Sequence, residues 1–157
     1  MSSSKKFLNT IESNRLQLFH GSGEGDLFLL EPRQAYSWDK PDGTPSVCAS
    51  VELQPALFMA IIGSRKGGGW TTLLGGDQLY YTTETVWDRA VAENWTGFIY
   101  TFPREGFRHY KGFEWRCEDP VKVEGVYKVD ITDLGDTVRV IQESDWDEFR
   151  EKIKGRK

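Results

Sequence analysis

Gly97-Phe98-Ile99-Tyr100-Thr101-Phe102 is a compact aromatic and β-branched run stopped by Pro103, and it commits the second half of the chain to strands. Strands near 113–116 and 121–130 follow, the second with Val126, Lys128 and Asp130 on the face opposite Tyr127, Val129 and Ile131. Asp136 and Thr137 lead into a last strand, Val138–Ile141. Trp146, Phe149 and Ile153 recur at helical spacing and predict a closing amphipathic helix, with Ser144 and Asp147 placed as a cap. The first half is more broken. A short amphipathic helix over 2–14 on Phe7, Leu8 and Ile11 precedes a strand at Arg15–Phe19, and residues 21–46 read mostly as loop, with a turn at Asp42-Gly43-Thr44-Pro45. A strand at Ser46–Ala49 then leads to a helix from about residue 52 through Ile62, which Ser50 can cap and Gly63 closes, with Ala56, Met59 and Ala60 facing the core. Leu79–Thr82 reads as a strand and Thr83 as the cap of a helix over 84–93. No internal repeat or linker interrupts residues 1–157, and the pattern is one α+β domain, mostly antiparallel, with helices at the periphery.

Composition narrows the classes of function. The 157 residues carry a formal net charge of −4, which speaks against holding nucleic acid by bulk electrostatics, although a local basic groove is compatible with it. Cys48 and Cys117, with only two histidines and no CxxC or HxxxH spacing, give no zinc site, and both read as reduced thiols of a cytoplasmic protein. No apolar stretch approaches the roughly 20 residues of a membrane span, and no signal-peptide core is present, so neither a metal nor a membrane enters the expected partners. Six Trp residues in so small a chain mean that some rings can line a pocket while most fill a core and its rim.

Candidate chemistry sits in separated motifs. Leu18-Phe19-His20-Gly21-Ser22 ends an apolar run on an imidazole, followed by a glycine that allows close approach to the backbone. Arg33, after Pro32, offers a planar fork suited to phosphate. Residues 63–78 are glycine-rich but lack the Lys-Ser or Lys-Thr pair of a Walker A loop, and read as a mobile surface loop. Arg65, Lys66 and Trp70 make that loop either a substrate flap or a plain connector. Taken alone, Phe58 reads as core, Cys48 as a small buried residue and His109 as solvated. Glu114, between Phe113 and Trp115, reads either as a site carboxylate or as the outward residue of an alternating strand.

In their order along the chain these segments resemble the ADP-ribosyltransferase-like superfamily, over residues 16–125. The resemblance implies a split, mostly antiparallel sheet with NAD in its cleft, and a His-Gly-Ser first-strand motif matched here by His20-Gly21-Ser22. His20 would then bond a ribose hydroxyl, Gly21 would meet a carboxamide or base edge through its backbone, and Ser22 would assist. Val47-Cys48-Ala49-Ser50 followed by Ala56-Leu57-Phe58 places Phe58 at the family's stacking position and Cys48 where the family has Tyr. Glu114 corresponds to the carboxylate that stabilises positive charge at the anomeric carbon.

The expected activity is cleavage of a ribosyl N-glycosidic bond, with NAD as donor for ADP-ribosyl transfer or hydrolysis. A DNA glycosylase would use the same carboxylate and a flipped base stacked among Phe58, Trp70, Tyr80, Tyr81 and Trp115, and on modified bases it would fit defence against phage. A degenerate member that only binds a nucleotide or a protein partner is the third reading. The motif order predicts that His20, Phe58 and Glu114 converge on one cleft with Cys48 on its floor.

Overall fold

The computed structural model describes residues 3–37, 39–74 and 77–155. Along the chain run α1 (Ser3–Asn14), β1 (Gln17–Ser22), β2 (Leu29–Leu30), β3 (Tyr36–Ser37), β4 (Lys40–Pro41), β5 (Val47–Ser50) and α2 (Leu53–Phe58), which widens into a π turn at Met59–Gly63. They are followed by β6 (Trp70–Leu74), β7 (Asp77–Thr83), α3 (Glu84–Ala92), β8 (Thr96–Pro103), β9 (Arg108–Lys111), β10 (Glu114–Cys117), β11 (Val121–Lys122) and β12 (Gly125–Asp130). A 3-10 turn at Ile131–Leu134, β13 (Val138–Ile141), a second 3-10 turn at Glu143–Asp145 and α4 (Trp146–Gly155) complete the order. The architecture is α+β and mostly antiparallel, as the pattern predicts, with one parallel pairing, β13 on β7.

The main sheet runs β12-β8-β1-β5-β10-β9. β1 pairs with β8 along its whole length, from Gln17↔Pro103 to Ser22↔Phe98. With β5 it shares a single register, Phe19↔Ser50, and the two strands then part. Beyond that point β5 pairs with β10 alone, from Glu114↔Ser50 to Cys117↔Val47. The sheet is therefore two three-stranded halves with a gap opening between β1 and β5.

Alternation decides what each face carries. Phe19, Ile99 and Val129 point to one core with Leu53, Leu57, Phe58, Ile61 and Ile62, while Leu18, Val47, Ala49, Tyr100 and Phe102 point to a second core on the other face. On β5 and β10 the first face carries Cys48, Ser50, Glu114 and Arg116 instead. So the half built from β8 and β1 is covered by α2, and the half built from β5 and β10 presents polar side chains beside that helix.

α2 is not peripheral. Five of its residues are buried, and the segment lies directly on two glycines of the sheet. A Cβ on Gly21 would sit 2.0 Å from the Ala56 carbonyl oxygen and 2.7 Å from the Ala60 nitrogen, and one on Gly97 would sit 2.0 Å from the Ala60 carbonyl oxygen. Gly21 is thus required by the packing of a helix on a strand. Ser50 does not cap this helix: its hydroxyl bonds the backbone of Glu52, and the first free amide, on Leu53, donates to the Glu12 carboxylate of α1. Ala56 and Ala60 face the core as expected, but Met59, where the helix widens and its phase shifts, is 40 % exposed.

The glycine-rich segment differs most from its reading. From Trp70 onward it is the first strand of a hairpin, paired with β7 from Trp70↔Tyr81 to Leu74↔Asp77, and Gly75 and Gly76 of the expected loop lie outside the described residues. Trp70 packs on Trp146 of α4, ring centroids 4.6 Å apart, and Arg65 lies 4.0 Å over the Trp95 ring, so both side chains serve packing. The strand predicted to end at Phe19 continues to Ser22, and residues 21–46 hold three two-residue strands. β9 has no counterpart among the predicted strands: all four of its residues are exposed, which hides the strand from hydropathy. Thr83 caps α3 as predicted, its hydroxyl accepting from the Val86 amide.

Candidate active site at the split of the sheet

Where β1 leaves β5, the Cys48 carbonyl loses a strand partner, and the His20 imidazole replaces it with an Nδ1···O distance of 2.8 Å. A carbonyl only accepts, so Nδ1 carries the proton and Nε2 keeps its lone pair for a donor. Burial holds the His20 pKa below its ordinary 6.5 against the opposing hydrogen bond to Cys48, and the nearby charge of Arg33 pushes the same way as burial. The ring is therefore neutral at physiological pH. By pleat it belongs to the face opposite Glu114, yet across the gap it lines the recesses on both sides.

One recess, about 250 Å³, is bounded by His20, Ser22, Leu30, Arg33, Val47 and Cys48. The other, also about 250 Å³, is bounded by His20, Cys48, Tyr36, Phe113, Glu114 and Arg116, with Ala56 and Met59 as its helical wall. They share His20, Ala35 and Cys48, so the gap joins a side lined by Ser22, Glu31 and Arg33 to a side lined by Asp42, Glu114 and Arg116. A larger hollow of about 440 Å³ between β13 and α4 contains neither histidine nor cysteine and is remote from these groups.

His20, Gly21, Cys48 and Glu114 thus meet at one cavity, and Ser22 and Arg33 at its neighbour. Phe58 does not join them. It is fully buried and packs tilted against Tyr80, 5.3 Å between centroids, so on α2 it is Ala56 and not the aromatic that faces the cavity. Trp115 alternates with Glu114 and points to the opposite face, edge-on to His109 and under the Arg104 guanidinium. Tyr80 and Tyr81 are buried, and Trp70 belongs to the cluster with α4, so none of the five rings expected to stack a base reaches the gap. Tyr36 and Phe113 stand there instead, Phe113 as the neighbour of Glu114 in its motif and Tyr36 with no motif to announce it.

Glu114 is not alone. The Arg116 guanidinium, two residues along on the same face, pairs with it through Nε and reaches Asp42 with its other nitrogens. Both residues are largely buried, Glu114 at 20 % and Arg116 at 8 % side-chain exposure. A hydrogen bond from Tyr110, aided by the charges of Lys111 and Arg116, holds the Asp42 carboxyl below its usual range. Period-two alternation from Glu114 finds Arg116, but no local signal leads to Asp42. His109 is exposed, its Nε2 bonding the Gly112 carbonyl.

Burial raises the Cys48 thiol to about 11, with Glu114 adding to the shift and Arg116 opposing it, so the thiol stays protonated and is no nucleophile at neutral pH. Peptide mapping after iodoacetamide at pH 8 should show Cys48 reacting slower than a free thiol by about a hundredfold, the scale of its lost thiolate fraction. Rapid labelling would contradict the burial. For His20 the sign is opposite. Between its lowered pKa and 6.5 the unfolded chain binds more protons than the folded one, so stability falls as pH drops through that window. Urea unfolding at pH 7.5 and 5.5 should show this loss in the wild type and a smaller one in His20→Gln; equal losses would remove His20 as the source.

Among the described residues no group of three or more His, Cys, Asp or Glu is placed to hold a metal ion, and no helix is long and apolar enough to cross a membrane. Comparison with protein-family models, with curated proteins and with solved structures finds no match.

Proposed function

We propose that the chain cleaves the bond between a ribose C1′ and a nitrogen base, with NAD as donor, on a split sheet of the ADP-ribosyltransferase-like type. One observation carries this reading: an acceptor imidazole, His20, and a half-buried carboxylate, Glu114, line the same cavity at the gap between β1 and β5. Cleavage passes through an oxocarbenium-like state, and a fixed anion beside the anomeric carbon stabilises it by several kcal/mol. Glu114 supplies that anion. His20 Nε2 accepts from a ribose hydroxyl, and Ser22 and Arg33 in the adjoining recess suit the diphosphate. The C1′–N bond breaks with its electron pair going to nicotinamide, which leaves neutral; water or an acceptor hydroxyl then adds to C1′ and loses its proton.

Deoxyribose lacks the 2′-hydroxyl, so a free acceptor at His20 favours a ribonucleotide over DNA. Two free thiols support a reducing, cytoplasmic setting. The test is mass spectrometry of small molecules released after incubation with NAD and, separately, with plain and modified DNA. Nicotinamide from NAD is the expected product. Release of a base from DNA alone would transfer the chemistry to a glycosylase, and NAD binding without any product would leave a binding module.

A further inference from the structure

The guanidinium of Arg116 uses its planar fork in two directions at once. Nε serves Glu114, while Nη1 donates to the Asp42 carbonyl at 2.6 Å and Nη2 to the Asp42 carboxylate at 3.0 Å. Its flat face lies 3.6 Å over the Tyr110 ring centroid, and the Tyr110 hydroxyl donates to the other Asp42 oxygen at 2.5 Å. Unpairing a cation this enclosed is expensive, so each partner is held in place by the others. The chain around Asp42 is shaped for the contact. Gly43 adopts φ +77°, and a Cβ there would stand 2.7 Å from Arg116 Nη1, so only glycine lets the Asp42 carbonyl come so near. The Asp42 amide in turn donates to the Ala35 carbonyl at 2.8 Å, and Ala35, Tyr36 and Asp42 all border the cavity that holds Glu114.

We propose that Arg116 is the positioning residue of this site: its fork aims the Glu114 carboxylate and, through Asp42, anchors the cavity wall bearing Ala35 and Tyr36 against it. The aiming half rests on reading Glu114 as the anion of the reaction, and the anchoring half does not. A lysine keeps the charge but offers a point contact in place of the fork, so it cannot satisfy both carboxylates in these directions.

The decisive experiment compares wild type, Arg116→Lys and Asp42→Ala by amide hydrogen exchange without ligand and by NAD turnover. Exchange at the Asp42 amide, bonded to Ala35, and at the Ser46 amide, bonded to Arg33, should quicken about tenfold or more in both variants, while β8 amides keep wild-type rates and report an intact fold. Arg116→Lys should also lower kcat tenfold or more with the KM for NAD within about twofold, since the anion is misaimed while the recess remains. Wild-type exchange at Asp42 and Ser46 in either variant overturns the anchoring, and an unchanged kcat in Arg116→Lys overturns the aiming. If wild type turns over no NAD, the aiming falls with the proposed reaction and exchange alone decides the anchoring. Should Arg116→Lys fail to fold, Asp42→Ala, which leaves the Glu114 pair intact, still decides it.

Discussion

Glu114→Gln should leave a folded protein that, under the proposed reaction, binds NAD and turns it over about a hundredfold more slowly than wild type, a loss of roughly 2.7 kcal/mol of transition-state stabilisation. The amide keeps the shape of the carboxylate and can still accept from Arg116, but it brings no negative charge to the anomeric carbon. Binding should survive, because the groups proposed to hold NAD in the adjoining recess, His20, Ser22 and Arg33, do not depend on that charge. Single-turnover release of nicotinamide, alongside NAD affinity by calorimetry, separates the two effects. Wild-type turnover in the variant would make Glu114 a structural partner of Arg116 and end the mechanism.

The second large effect is on stability. Gly21→Ala puts a methyl 2.0 Å from the Ala56 carbonyl oxygen, a backbone atom that no rotamer change can move. Overpacking of this kind costs about 3 kcal/mol, and in a domain of this size lowers Tm by about 10 °C. Gly23→Ala is the control, since its Cβ would meet only the Ser64 hydroxyl at 3.5 Å. Equal melting temperatures for the two variants would show that α2 does not rest on Gly21 as described.

The glycine of the His-Gly-Ser motif shows how far the sequence could be read. Its position was plain, but its cause was not: it reads as a residue that admits a ligand, and its absent side chain is filled by a helix some 35 residues on. Elements with their own local pattern were legible. β8 is bounded by Pro103, α3 is capped by Thr83, and α4 is amphipathic on Trp146, Phe149 and Ile153. Of the next hairpin β7 was legible, at Leu79–Thr82, but β6 was not, because glycines flank it and its partner supplies the order. Strand order was illegible as well, since β1 sits between β5 and β8 through pairings far apart in sequence.

The site was legible in part for the same reason. His20 and Glu114 follow from a motif order, and Arg116 from alternation, but Asp42 lies 74 positions before its partner with nothing local to announce it. Phe58, which reads as core when taken alone, is core; the resemblance placed it at a stacking position, but a position in sequence does not say which side of a helix faces the gap.

The main sheet is joined across its middle by the one backbone pairing Phe19↔Ser50. Its two halves are splints on either side of a seam that the second core holds from one face, and the hydrogen bond from His20 to Cys48 is a stitch in that seam beyond the last rung. A molecule seated in the gap would supply the missing rungs, so its binding would also be read as added rigidity across the seam.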